Sequence, residues 1–277
     1  MTLRDLISTG KRGLDHAGIF NSARDARLLA AHVMGIDPTR ITLHELDDID
    51  NDVIERYGAV IQKRIDHCPV SRIIGARQFW GRIFKITADV LDPRGDSETL
   101  IAEALGDPAN HVLDLGTGSG ILAITLAAEW SQARVVATDI SNDALDVARE
   151  NAAQHKVETQ IQFCQSDWFQ DVQGVFDLII SNPPYIAEHE LQDLERDVIN
   201  YDPMIALSPG GDGLDPYRII ASQARDYLRP NGRVIVEIGH LQGRDVQSLF
   251  ADAGFADARI LQDLNGKDRL IFAKYPD

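Results

Sequence analysis

The tetrapeptide Asn182-Pro183-Pro184-Tyr185 combines residue types that can hold an –NH₂ group for reaction. It directly follows the apolar run VFDLIIS at 175–181, which predicts a strand, so the motif should lie at the carboxyl edge of a sheet. Each proline fixes its own φ near about −65° and keeps the preceding residue out of the helical region. An ordinary Asn-Pro turn is the alternative. Because the motif follows a buried strand, we predict a stiff loop that positions a reacting group.

The chemistry that fits this loop is methyl transfer to an amide or aromatic amine nitrogen. Such a nitrogen is a poor nucleophile because its lone pair is delocalised, so positioning must supply much of the rate. The side-chain oxygen of Asn182 and the carbonyl of Pro183 can each accept one N–H of the target and stabilise the charge that develops on it. Tyr185 can pack against the planar target group.

A second candidate site is the glycine-rich segment Asp114-Leu115-Gly116-Thr117-Gly118-Ser119-Gly120. It follows one predicted strand and opens a helix, where the backbone must approach a nucleotide closely. Asp139 ends the next strand, about 20 residues later, where a carboxylate can accept hydrogen bonds from a ribose. The alternative is a ligand-free turn with Asp139 as an N-cap, although Ser141 can supply that cap. We predict cofactor contacts for Gly116, Thr117, Gly118, Ser119, Gly120 and Asp139.

The spacing of these glycines favours S-adenosyl-L-methionine over a dinucleotide. The glycines run G-x-G-x-G instead of G-x-G-x-x-G. Asp114 should bring a carboxylate beside the loop, which suits a sulfonium or an amino group and repels a pyrophosphate. Asp167 and Trp168 follow the next predicted strand, so Asp167 can accept from the exocyclic amine of adenine and Trp168 can stack on the ring, unless Trp168 belongs to the core. The expected product is S-adenosyl-L-homocysteine, and no metal site is predicted.

Three segments of different pattern must position these residues. Apolar residues at steps of three and four from Asn51, and a helix between Ser22 and Gly35, predict a helical domain over 1–70. Residues 71–95 carry short aromatic and β-branched runs, which predict a connecting β-hairpin. Residues 96–277 alternate strands and helices, which is typical of a parallel sheet covered by helices. The last two apolar runs leave no room for a crossover helix and predict an antiparallel hairpin.

Composition and charge narrow the possible functions. The 277 residues are 44% hydrophobic and 25% charged, as in an ordinary globular protein, and carry a formal net charge of −16. Residues 1–72 hold 10 basic and 11 acidic side chains, which leaves 17 basic and 32 acidic for the remainder. A catalytic domain this acidic repels phosphate backbones, so we expect no direct DNA binding.

The remaining sequence features concern location. Cys68 and Cys164 are far apart, and we expect both to be buried structural thiols. The first residues lack a secretory signal and no stretch is apolar enough to span a bilayer. We therefore expect a cytoplasmic monomer with no membrane contact.

Together these motifs resemble the release-factor glutamine methyltransferases, the PrmC or HemK family. The resemblance covers nearly the whole chain and includes the segment GARQFWGRIFKI, the stretch Pro93-Arg94-Gly95-Asp96-Ser97-Glu98, the run GGDGLD at 210–215 and the terminal hairpin. It implies a Rossmann-like class I S-adenosylmethionine-dependent methyltransferase of the α/β class, with a mostly parallel seven-stranded sheet and a small N-terminal helical domain. One departure is Gly95, where the family segment usually reads Pro-Arg-Pro-Asp.

The resemblance also implies roles for individual residues. The glycine loop 116–120, Asp139, Trp168 and Asn182 should contact the cofactor, and residues 182–185 should hold the target. That target is the glutamine in the Gly-Gly-Gln loop of class-I peptide-chain release factors, which the helical domain 1–70 helps to dock.

Four alternatives differ from this hypothesis. A glutamine methyltransferase of a ribosomal protein would share every active-site motif. An adenine-amino methyltransferase would use the same loop but needs a basic groove for a polyanion. An oxidoreductase would have no use for Asn182 and the prolines after it. A silent scaffold would be expected to lose Asn182 or the glycine loop.

Overall fold

The computed structural model describes residues 1–276, which form two compact units. The first unit comprises Met1–Ala76 together with Glu195–Tyr201, and the second comprises Arg77–Leu194 and the chain from Asp202 onward. The helical domain expected over 1–70 therefore includes a short segment from much later in the chain. That segment begins at Glu195, ten positions after Tyr185, the last residue of the Asn182 motif.

The helices and strands are named in chain order. The helices are α1 Leu3–His16, α2 Ser22–Met34, α3 Asn51–Ile65, α4 Val70–Ile74, α5 Glu98–Leu105, α6 Ile121–Glu129, α7 Asn142–Gln154, α8 Arg196–Ile199, α9 Met204–Leu207, α10 Asp215–Gln223 and α11 Gly243–Asp252. The strands are β1 Ala76–Phe79, β2 Arg82–Lys85, β3 His111–Leu115, β4 Arg134–Asp139, β5 Ile161–Gln165, β6 Phe176–Ser181, β7 Leu228–Glu237, β8 Ala256–Gln262 and β9 Asp268–Lys274.

The first unit is a small helical bundle around one apolar core. Helix α1 begins at a capping box in which Thr2 and Asp5 satisfy each other's backbone N–H groups. Helix α2 ends at Gly35, whose φ of 65° is the left-handed cap that glycine favours. Tyr57 of α3 is buried and its hydroxyl donates to the Ala26 carbonyl at 3.1 Å. The helices expected around Ser22 and from Asn51 are confirmed.

A charged cluster joins the late segment to this bundle. The guanidinium of Arg64 donates to Asp25 at 2.8 Å and to Asp197 of α8 at 2.7 Å. His67 also contacts the Asp197 carboxylate, at 3.1 Å. The Arg64 and Asp25 side chains are only 12% and 11% exposed, so this pair is largely shielded from water.

The second unit is built on a seven-stranded sheet within the described chain, in the order β5-β4-β3-β6-β7-β9-β8. Strands β3 to β7 pair in parallel, whereas β7-β9 and β9-β8 pair antiparallel. The chain runs outward from β3 through β4 to β5, then returns to β6 on the other side of β3. Ligands bind at such a reversal, because the loops after the two central strands diverge and leave a crevice. The expected fold class and terminal hairpin are confirmed.

The segment between the bundle and the sheet differs in part from expectation. The hairpin is present, with Trp80 and Gly81 at φ of 48° and 71° in a two-residue turn between β1 and β2. Residues 70–74, however, form helix α4, because Pro69 precedes its first turn and Gly75 ends it in the left-handed region. Short β-branched runs do not distinguish a strand from one turn of helix.

Two further expectations concern burial and membranes. Both cysteines are free but only half-buried, so the expectation of buried thiols is wrong. Cys164 lies in β5, an edge strand of the sheet. None of the helices within residues 1–276 is long and apolar enough to cross a membrane.

Candidate active site

The glycine loop and the Asn182 loop start side by side at the centre of the sheet. Leu115, the last residue of β3, pairs with Ser181, the last residue of β6. The buried Ser181 hydroxyl donates to the Leu115 carbonyl at 2.7 Å. Because both loops leave the sheet from this point, the next residues of each lie at the same edge.

All three glycines of the loop have a positive φ, and Gly116 and Gly120 show two different reasons for glycine there. Gly116 has a φ of 68°, and a Cβ there would meet nothing within 4 Å, so the requirement is backbone conformation alone. Gly120 also has a positive φ, and its Cβ would lie 2.7 Å from Ile124 Cδ1 and 3.1 Å from Ala148 Cβ. Gly120 therefore lets α6 pack closely against α7.

Asp139 holds the loop through its backbone. One carboxylate oxygen accepts from the Gly118 N–H at 2.8 Å and the other from the Ser141 N–H at 3.0 Å. The Ser141 hydroxyl caps α7 through the Ala144 N–H, so the capping role considered for Asp139 falls to Ser141. Burial raises the pKa of Asp139. A carboxylate has about four acceptor positions, so Asp139 keeps capacity for a further donor.

Asp114 does not lie where the loop spacing predicted. Its side chain is fully buried beneath the loop, where Oδ2 accepts from the Thr117 hydroxyl at 2.6 Å and the Ala123 N–H at 3.2 Å. Burial raises its pKa to about 7. The carboxylate thus supports the turn into α6 and is not part of the cavity lining within the described chain. Sequence position alone could not decide this, because a buried strand alternates its side chains between two faces.

Trp168 lies in a strained turn after β5. Its φ of 52° is in the left-handed region, which is an outlier for a bulky residue. Ser166 holds the turn, since its hydroxyl donates to the Trp168 carbonyl at 2.9 Å and accepts from the Asp171 N–H at 3.0 Å. Asp167 beside it is exposed. Strained residues of this kind concentrate at binding sites.

A cavity of about 350 Å³ opens between the two loops, within the range of ligand pockets. Nine of the residues predicted from the sequence line it, namely Gly116, Thr117, Gly118, Ser119, Asp139, Asp167, Trp168, Asn182 and Pro184. Gly120, Pro183 and Tyr185 are not among its lining residues in the described chain. The assignment of Gly120 to cofactor contact is therefore not supported by its position.

The structure adds lining residues that the sequence did not single out. Two loops contribute them, one with Leu91 and Pro93 before α5 and one with Pro203, Ile205 and Pro209 around α9. Pro93 begins the stretch 93–98 that is part of the family resemblance, whereas the loop around α9 carries no motif that signals a ligand. Their contribution depends on how the chain returns to the sheet edge.

The lining residues fit S-adenosylmethionine. Exposed backbone at Gly116 can approach a ligand, the Asp139 carboxylate can accept from ribose hydroxyls, and the Trp168 ring offers a stacking surface. Apolar side chains line the remaining wall, which suits an adenine ring.

The Asn182 side chain is held in one orientation by a neighbour. Its Nδ2 donates to the Ser97 hydroxyl at 3.2 Å, and Ser97 is completely buried. The amide oxygen is then left as the acceptor, as the proposed chemistry requires. Tyr185 lines a second cavity together with Leu194 and Gln242, and Gln242 donates to its carbonyl at 2.9 Å.

A buried carboxylate lies beside this loop and was not predicted. Glu237 ends β7 and is 1% exposed. The Ser97 and Tyr185 side chains lie near its carboxylate, and its Oε2 has no hydrogen-bond partner within the described chain. The signal was present as one acidic residue at the end of the apolar run GRVIVEI. Ser97 lies in the stretch 93–98 of the family resemblance, but its contact with Asn182 is seen only in the tertiary structure.

The sheet order, the loop pair and the cavity define a class I S-adenosylmethionine-dependent methyltransferase. The family model for the methyltransferase small domain matches residues 88–256, and that for the PrmC N-terminal domain matches residues 5–75. The chain belongs to the release factor glutamine methyltransferase family. It is 49% identical over 276 residues to the release factor glutamine methyltransferase of Cereibacter sphaeroides, covering 100% of this chain and 99% of that protein.

A further relative supports the family, and two solved structures support the fold. The release factor glutamine methyltransferase of Rhodospirillum rubrum is 40% identical, covering 99% of this chain and 85% of that protein. A methyltransferase from Pyrococcus furiosus matches 72% of this chain and 91% of its own, with a TM-score of 0.55 and 16% identity. The hMettl16 catalytic domain matches 78% of this chain and 81% of its own, with a TM-score of 0.58 and 14% identity. These two structures bear on the fold alone.

Proposed function

We propose that this chain transfers the methyl group of S-adenosylmethionine to the side-chain amide nitrogen of the glutamine in the Gly-Gly-Gln loop of class-I release factors. The observation that carries the proposal is the fixed Asn182 amide at the edge of the cavity, with its nitrogen engaged by Ser97 and its oxygen available. The name shared by the full-length relatives supports the substrate.

The chain's own residues supply positioning and charge stabilisation. Bound S-adenosylmethionine supplies a methyl group on a cationic sulfur, which needs only an aligned nucleophile. Asn182 Oδ1 and the Pro183 carbonyl each accept one N–H of the target amide, which aligns the nitrogen and stabilises the positive charge that it gains. The nitrogen–methyl bond forms as the methyl–sulfur bond breaks, and the methylated nitrogen then loses one proton, which passes to water.

Cofactor contacts follow from the cavity lining. In the proposal, Asp139 accepts from the ribose hydroxyls, Asp167 accepts from the adenine amine and Trp168 stacks on the ring, while the backbone of 116–119 contacts the amino-acid part. Gly120 acts through helix packing instead of direct contact. Tyr185 borders the target from the side of the second cavity.

The helical unit is proposed to help dock the release factor. Its near-balanced charge over residues 1–72 suits a protein surface, and the rest of the chain carries an excess of acidic side chains. The same acidity favours a protein target over nucleic acid, because like charges repel the phosphate backbone. We propose a monomer that acts in the cytoplasm without direct DNA contact.

The deciding experiment incubates the protein with tritiated S-adenosylmethionine and a class-I release factor. A matched release factor with Gln→Ala in its Gly-Gly-Gln loop is the control. Label should enter the first protein and not the second, and a ribosomal-protein fraction and an adenine-containing duplex should stay unlabelled. Equal labelling of both release factors would contradict the proposal.

A further inference from the structure

The Ser97 hydroxyl connects the reaction loop to a carboxylate in the core. Ser97 Oγ accepts the Asn182 Nδ2–H at 3.2 Å, so its own proton must be donated elsewhere. The carboxylate of Glu237 lies near the Ser97 and Tyr185 hydroxyls, and its Oε2 has no hydrogen-bond partner within the described chain, so it is the acceptor at hand for that proton. Both Ser97 and Glu237 are buried, at 0% and 1% exposure, so water does not compete for these bonds.

Strand pairing explains why these groups meet. Ser181 of β6 pairs with Val236 of β7, so the following residues, Asn182 and Glu237, lie level at the carboxyl edge. The Tyr217 hydroxyl donates to the Glu237 backbone carbonyl at 2.8 Å and holds the end of β7 in place.

The direction of each hydrogen bond depends on the charge of Glu237. An ionised carboxylate only accepts, so Ser97 must donate to it and is left to accept from Asn182. A protonated Glu237 can donate to Ser97. Ser97 can then donate to the Asn182 amide oxygen, which permits the amide to rotate and exchange the positions of its oxygen and nitrogen. Ionised Glu237 therefore allows only the orientation in which Asn182 Oδ1 is free for the target.

We propose that Glu237 is a positioning residue for methyl transfer, because its ionised carboxylate acts through Ser97 to orient the Asn182 amide and restrains Tyr185. The inference rests on the proposed reaction at Asn182. Glu237 does not line the cavity in the described chain, so it acts without touching the cofactor.

The surroundings of Glu237 shift the ionisation of its carboxylate towards neutral pH. Burial raises its pKa to about 7, against the opposing effects of the Ser97 hydrogen bond and the positive charge of Arg269. Asp96 raises it further, and the buried Tyr217 faces it from α10. Arg269 is itself paired with Asp96 at 3.1 Å and with Asp263 at 3.3 Å, so it attracts Glu237 only in part.

The test combines kinetics with a readout that needs no substrate. In the free wild-type protein, the side-chain amide signals of Asn182 in a ¹H–¹⁵N spectrum, identified by their loss in N182A, should shift with a midpoint near about pH 7. S97A and E237Q should abolish that shift. Asn182 signals that do not respond to pH in the wild type would overturn the inference even if no methyl transfer is observed.

Kinetic variants test the consequence for the reaction. E237Q and S97A should lower kcat about 100-fold, as misplacement of a reacting group does, with KM and S-adenosylhomocysteine binding changed less than about threefold. E237D should restore part of the loss. E150Q is the matched control, because it makes the same change at an exposed glutamate that pairs with Lys85, so kcat should stay within about threefold. A wild-type kcat in E237Q would overturn the proposal, whereas a wild-type enzyme that labels no release factor would overturn only the proposed substrate.

Discussion

The Asp139 carboxylate accepts a hydrogen bond from the Gly118 backbone N–H at 2.8 Å, which joins the end of β4 to the middle of the glycine loop. The same carboxylate lines the cavity, so it both shapes the loop and borders the proposed cofactor site. Asp139 is 21 positions from Gly118 in the sequence, and it reaches the loop because β4 pairs with β3.

Replacing Asp139 should weaken cofactor binding strongly. D139A removes the proposed ribose acceptor and the support of Gly118, so calorimetry with S-adenosylhomocysteine should show at least about a tenfold loss of affinity, or about 1.4 kcal/mol. D143N is the control, since Asp143 is exposed on the first turn of α7 and should bind as the wild type does. Unchanged affinity in D139A would remove Asp139 from the cofactor site.

Replacing Asn182 should separate binding from turnover. N182A keeps the glycine loop and Asp139 intact, so S-adenosylhomocysteine affinity should stay within about tenfold while turnover on a release factor nearly disappears. Calorimetry and tritium transfer measure the two quantities on the same preparation. Retained turnover would move the reaction centre away from this loop.

Glu237 should make stability depend on pH in a defined window. Its pKa in the folded protein, about 7, is above its ordinary value of 4.5, so the folded state binds the proton more tightly than the unfolded state. Its contribution is therefore fully present below about pH 4.5 and is lost as the pH rises to about 7, a change of about 3 kcal/mol. Urea unfolding of wild type and E237Q across this range measures it.

The comparison between the two proteins isolates Glu237, because Asp114 also has a raised pKa and titrates in both. The stability of E237Q relative to wild type should increase with pH across the window. A constant difference between the two proteins would contradict the assignment of a raised pKa to Glu237.

Arg64 should be important for the stability of the helical unit. R64A leaves the shielded carboxylates of Asp25 and Asp197 without their shared cation, and loss of one partner of such a pair costs about 3 kcal/mol. Urea unfolding should show this loss, and limited proteolysis should show faster cleavage within 195–201. K11A, which breaks the exposed Lys11–Asp15 pair, should leave the free energy of unfolding at the wild-type value, because solvent screens exposed pairs.

The sequence predicted the chain's architecture well because its signals are local. The alternation of apolar strands and helices, the glycine loop and the Asn182 motif each depend on residues a few positions apart. Short segments with weak periodicity were predicted less well. Residues 70–74 form a short helix between Pro69 and Gly75, although most of this segment was expected to be extended. The role of Asp114 was wrong because the strand pattern did not show which face it occupied.

The sequence by itself therefore determined the fold class, the cofactor class and the two loops that meet at the active site. Only the tertiary structure decided which residues support those loops. Ser97 and Glu237 are 140 positions apart in the sequence and become neighbours of Asn182 only when β6 and β7 pair. Hydrogen bonds between buried side chains depend on strand order and register, and those arise from the packing of the whole sheet rather than from any local pattern.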